Sequence, residues 1–153
     1  MQQTLAGRSQ ESSGVRLLLL FRTSANRCLI LKEAMRIDWS DERLIAGLKC
    51  YDAGEYFEAH EHWELVWLEL DEPEKTFMQA LIQVAAAFEH WRRGEPEGTR
   101  SLLKRVVARL EKYPAEFAGV DVEALRRSTG EWLEGLPEVK ELAVPKIQGA
   151  GIG

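Results

Sequence analysis

Residues able to do chemistry crowd into one short stretch, Glu58-Ala59-His60-Glu61-His62-Trp63-Glu64. An imidazole ligates metals or moves a proton near neutral pH, and a neighbouring carboxylate can share either task. On a helix turning about 100° per residue, Phe57, His60, Glu61, Glu64, Trp67 and Leu68 fall within one arc of about 120°, which predicts that they face inward. Glu58, His62 and Glu69 lie on the opposite side, with Leu65 near its edge. Further on, Gln79, Gln83, Ala86 and His90 follow i, i+4, i+7, i+11 and form one narrow stripe. Side-by-side packing of the two helices would bring His60, Glu61, Glu64 and Trp67 to Gln79, Gln83 and His90, and these seven residues are the candidate pocket. Buried polar groups cost about 1–3 kcal/mol each when unpaired, so the cluster should be a connected network or a ligand site.

Three chemistries fit it. As a metal site, His60 and Glu64 at i, i+4 offer two ligands on one helical face, with Glu61 and His90 as further donors to a divalent metal. The spacing is not diagnostic, because His-Glu-x-x-His is absent and so is the pair of Glu-x-x-His motifs of a di-iron bundle. As acid–base chemistry, a glutamate with a raised pKa beside His60 would transfer protons to a small molecule. No nucleophile, Gly-rich loop or cofactor fingerprint accompanies it, so enzymatic activity stays open and no residue is assigned as catalytic. As architecture, a hydrogen-bonded Glu-His-Gln network would fix the register of two helices.

The elements that must position these residues read as helices punctuated by caps. Ser40 is the expected N-cap of a first helix whose Leu44, Ile45, Leu48 and Tyr51 give an apolar stripe up to Gly54. A second helix is expected over about Glu55 to Leu70. Pro73 suits the first turn of a third that carries Phe77, Leu81, Val84, Ala85 and Phe88 to Gly94. A fourth runs from Pro96 to Leu110 and is ended by Pro114. Asp121 and Thr129 are read as caps of two short helices, before a tail over Pro145 to Gly153 that should be loose. No segment alternates with period two, so strands are not expected.

Offset by 40 positions, the chain aligns Tyr51 with Trp91, Gly54 with Gly94, Glu55 with Glu95 and Leu70 with Leu110. This predicts two antiparallel helical hairpins, each turning at a Gly-Glu pair, in an all-α helical bundle with a tetratricopeptide-like pseudo-repeat. The expected partition is an N-terminal extension over 1–37, a helical domain over 38–137 and a loose tail over 138–153.

Charge supports that partition. The 153 residues hold 20 Lys+Arg against 25 Asp+Glu, a net −5. Residues 1–34 carry five basic against two acidic side chains, a net +3, and the remainder 15 against 23, a net −8. The first piece reads as an extension or as an Arg-rich targeting segment, with Met35 as a second plausible start. An acidic body argues against tracking nucleic-acid phosphates, and no apolar run approaches the roughly 20 residues that span a bilayer. Cys28 and Cys50 are too few for a disulfide framework and suit reduced thiols in a cytoplasmic protein. Trp132 and Leu136 would seal the bundle or pair two chains into a homo-oligomer.

The run Gly54-Glu55-Tyr56-Phe57-Glu58-Ala59-His60-Glu61-His62-Trp63-Glu64, then Trp67, then Phe77 to Ala87 and His90, resembles a prokaryotic family catalogued as domain of unknown function 309. Its hallmark is Glu-Ala-His-Glu-x-Trp-Glu-x-x-Trp followed by Gln-Gly-Leu-Ile-Gln, with Ala80 here in place of the second motif's Gly. The resemblance spans about Leu44 to Leu110 and implies an all-α bundle in a cytoplasmic prokaryotic protein. It supplies no reaction. Its signature positions map onto Glu58, His60, Glu61, Trp63, Glu64, Trp67, Gln79, Gln83 and His90. Two functions follow: binding of a small molecule or metal at the cluster, or a tetratricopeptide-like protein-interaction module in which the cluster is structural.

Overall fold

The computed structural model describes residues 36–149 and 152. The expected extension over 1–37 therefore lies almost wholly outside the described residues. Helix α1 spans Glu42–Asp52, α2 Tyr56–Trp67, α3 Glu74–Arg92 and α4 Pro96–Leu110. A two-residue hairpin, β1 (Glu116–Phe117) paired antiparallel with β2 (Val120–Asp121), leads into α5 (Val122–Gly135).

The two helical hairpins form as the sequence predicts, and their corners are built alike. Gly54 and Gly94 adopt left-handed φ of +83° and +79°, a conformation with little penalty only for a residue lacking Cβ. At the first corner Glu55 N–H donates to Cys50 O and Gly54 N–H to Tyr51 O; at the second, Glu95 N–H donates to His90 O and Gly94 N–H to Trp91 O. Each corner thus satisfies the last carbonyls of its helix by the same paired bonds. The helices flanking them are unequal, 11 and 12 residues against 19 and 15, so the likeness of the two hairpins is confined to their corners.

Several local expectations are corrected. Asp41, not Ser40, caps α1, accepting from Arg43 N–H at 2.8 Å, while Ser40 bonds the Asp38 carboxylate. Asp121 caps α5 through Ala124 N–H, but Thr129 is an interior residue whose hydroxyl returns to Leu125 O, so one helix stands where two were expected. Ala118 and Gly119, both at positive φ, turn β1 into β2, a hairpin too short for alternation to reveal.

The core runs through all five helices. Trp63, Phe77, Phe88, Leu44, Leu81, Leu103 and Leu125 are fully enclosed. Trp63 lies directly on α1, where a Cβ on Gly47 would stand 2.1 Å from its indole nitrogen. Trp132 of α5 meets Phe88 and Trp91 of α3 edge-on, with centroids 4.8 and 5.2 Å away, closing the bundle's far end.

The tail expected to be loose is instead a strap. Tyr51 Oη donates to Pro145 O at 2.6 Å, Trp132 Nε1 to Ala143 O at 2.8 Å and Asp121 N–H to Gln148 O at 2.8 Å, while Ile147 is buried. Burial holds the Tyr51 hydroxyl well above the ordinary tyrosine value, so it remains a donor. A Pro- and Gly-bearing composition suggests freedom, but one buried isoleucine and three long-range hydrogen bonds outweigh it.

Candidate functional site

Helix α2 buries Ala59, Trp63, Val66 and Leu70, the latter just beyond its end. These follow i, i+4, i+7, i+11 and form an entirely apolar stripe, which wins the core because no polar group must be desolvated with it. The predicted inward face is therefore turned outward. Phe57, Leu65 and Leu68 are exposed at 45, 51 and 64%, and Glu58, Glu61 and Glu64 are exposed between them. His60 and Trp67 lie at the flank of that face and are half-buried.

The cluster residues come together only in part. His60 Nε2 lies 3.5 Å from Glu64 Oε2, and its ring is 5.7 Å from that of Phe57. Trp67 is covered by Lys75, whose Nζ sits 4.5 Å from the ring centroid in a cation–π contact from the start of α3. On α3, Gln79, Gln83, Ala86 and His90 are half-buried, as one stripe should be, yet the partners of Gln83 and His90 lie away from α2. Gln83 Oε1 accepts from Arg109 Nε of α4 at 3.1 Å. His90 Nδ1 bonds Glu95 at the second corner and packs against Gly98, where a Cβ would come within 2.8 Å of it. The predicted Glu-His-Gln network across α2 and α3 thus divides into a His60–Glu64 pair on α2 and two links from α3 to the α4 side.

This arrangement does not assemble the proposed metal set. His60, Glu61, Glu64 and His90 do not converge, and among the described residues no three His, Cys, Asp or Glu side chains are grouped to hold a metal ion. Two polar atoms of the cluster, His60 Nδ1 and Trp67 Nε1, are buried without a hydrogen-bond partner.

Other charged residues serve the frame. Arg43 bonds both Asp41 and Glu69, tying the start of α1 to the chain just beyond α2, and its guanidinium holds both carboxyls below their ordinary range. Glu89 is only 6% exposed on α3. Burial pushes its carboxyl up, but hydrogen bonds from Arg92 and Arg93 outweigh that and hold it below the ordinary value. Sequence reasoning also missed Arg109 as the partner of Gln83, and Leu65 as a full member of the exposed face. The latter was recoverable from the all-apolar stripe, which places Leu65 far from the core side of α2.

Fold and face together define a small all-α protein of two helical hairpins with an apolar and acidic outer helix face. Residues 44–102 match the family model described as Domain of unknown function (DUF309), the family its paired motifs resemble. A relative described as "Uncharacterized protein" from Aquifex aeolicus (strain VF5) is 26% identical over 116 residues, covering 75% of this chain and 34% of the relative. The chain thus spans about a third of that relative's length. No helix among the described residues is long and apolar enough to cross a membrane.

Proposed function

We propose that this chain is a protein-interaction module whose docking surface is the outward face of α2. The observation that carries this reading is the exposure of Phe57, Leu65 and Leu68 on one helical face, interleaved with Glu61 and Glu64. These five positions fall within an arc of about 100° and extend roughly 16 Å along the helix. Large apolar side chains exposed together on one face are a feature of interaction sites, whereas scattered single apolar residues need no explanation. Carboxylates between the apolar groups favour a partner segment that alternates apolar side chains with Lys or Arg. That a relative carries a similar stretch within a chain about three times the length of that stretch supports a unit that works against other polypeptide.

The paired substitution Phe57→Ser, Leu68→Ser tests this at natural expression levels. We expect an unchanged melting temperature and loss of a larger native assembly in gel filtration of cell extract. Identical elution of parent and variant would contradict the reading.

A ligand role for the cluster has one observation in its favour, the unpartnered His60 Nδ1 and Trp67 Nε1. Each costs about 1–3 kcal/mol in a seam that folding alone would be expected to satisfy. Zinc titration of chelator-stripped protein against His60→Ala tests it: with only a two-ligand pair assembled, we expect no stoichiometric uptake by either.

A further inference from the structure

A second face of α1 is left over once its core residues are assigned. Leu44, Gly47 and Tyr51 turn inward against Trp63 and the core, whereas Ile45, Leu48, Lys49 and Asp52 share another face by their i, i+3, i+4, i+7 spacing. The C-terminal strap crosses that face without filling it. Between them lies a cavity of about 440 Å³, walled by Trp39, Ile45 and Leu48 on one side and Ile147 on the other. Its volume is in the range of small-molecule sites, about 300–1,000 Å³.

The walls are fixed rather than adaptable. Trp39 is held by its indole N–H to Ala118 O at 2.8 Å, and the strap by Tyr51 and by the Asp121–Gln148 backbone bond. Two ammonium groups, Lys49 and Lys146, belong to the lining, against the single carboxylate of Asp52. Like the other lysines among the described residues, neither makes an ion pair within 4 Å, so both ammonium groups are free to meet an anion. A half-open, partly apolar cavity whose two ammonium groups outnumber its one carboxylate suits a molecule that is hydrocarbon at one end and anionic at the other.

We propose that this cavity is a binding site for a small amphipathic monocarboxylate, its hydrocarbon against Trp39, Leu48 and Ile147 and its carboxylate between Lys49 and Lys146. The site lies on α1 and the strap, apart from the α2 docking face, and stands independently of it.

Calorimetric titration of the full chain with octanoate, and with octylammonium as the cation of equal length, tests it. Octanoate should saturate at one equivalent and bind at least about tenfold more tightly than octylammonium, the direction set by charge-assisted contacts. Lys49→Met, Lys146→Met, which keeps apolar length and removes charge, should weaken octanoate about tenfold and erase the preference. Leu48→Trp, which fills the chamber, should abolish binding of both while circular dichroism shows an intact fold. Absence of saturable octanoate binding by the parent, equal affinity for octylammonium, or undiminished affinity in the lysine variant would each overturn the proposal.

Discussion

Gly47 and Trp63 show how one residue sets the spacing of a hairpin. Trp63 is fully buried and its Nε1 reaches Leu44 O at 3.3 Å, so the indole lies across α1 where any side chain at 47 would stand. A Cβ there would be 2.1 Å from the indole nitrogen, and an enclosed ring has no room to retreat. We expect Gly47→Ala to destabilise the protein by about 2–4 kcal/mol in urea unfolding, at or beyond the upper end of ordinary overpacking costs; a change under about 0.5 kcal/mol would contradict this packing. Glu89 offers a second residue-scale test. Its carboxyl sits lower folded than unfolded, so its contribution is complete above the ordinary carboxylate range and is lost as pH falls through the folded value. Glu89→Gln should therefore cost about 1 kcal/mol at pH 7, limited because both arginines are largely exposed, and the gap to the parent should narrow by pH 3. The Glu89, Arg92 and Arg93 spacing is plain in the sequence, but i, i+3, i+4 pairs read the same on a buried or a solvated face. Burial had to be seen.

At the scale of elements, turn chemistry was legible and helix rotation was not. Gly54-Glu55 and Gly94-Glu95 announce their corners because left-handed backbone needs glycine, and Pro96 marks the start of α4 as read. Helix α2 carries two overlapping stripes, one wholly apolar and one mixing aromatics with His and Glu. Desolvation, not aromatic size, decides between them, and the wholly apolar stripe is buried. The His60–Glu64 contact survives either choice because it depends only on neighbours along one helix. Gln83–Arg109 and His90–Glu95 do not, because they depend on which side of α3 each neighbouring helix occupies. The strap is illegible in the sequence for a related reason: its hydrogen bonds reach 11 to 94 residues along the chain, beyond any local pattern. Its hold predicts that Ile147→Ala lowers stability by about 2–3 kcal/mol, read as a fall in melting temperature. An unchanged melt would restore the loose tail.

For the whole molecule, the acidity of the chain after residue 34 acquires a location. Glu58, Glu61 and Glu64 are exposed on the helix that carries Phe57 and Leu65 and ends at Leu68, so part of the −8 charge lies among exposed apolar groups. Such a face is costly to leave in water and would be stabilised by any partner that covered the apolar groups and neutralised the carboxylates. Exposed substitutions there should leave stability within about 0.5 kcal/mol of the parent, which separates loss of binding from loss of fold. The most direct test of docking at this face is site-specific photo-crosslinking in cells, with benzoyl-phenylalanine placed at Phe57, at Leu68 and, as a control, at Glu131, which is exposed on α5. The α2 surface predicts one discrete adduct, the same partner by mass spectrometry, from both Phe57 and Leu68 and none from Glu131. No adduct at either α2 position, or an equal yield of the same adduct from Glu131, would contradict it.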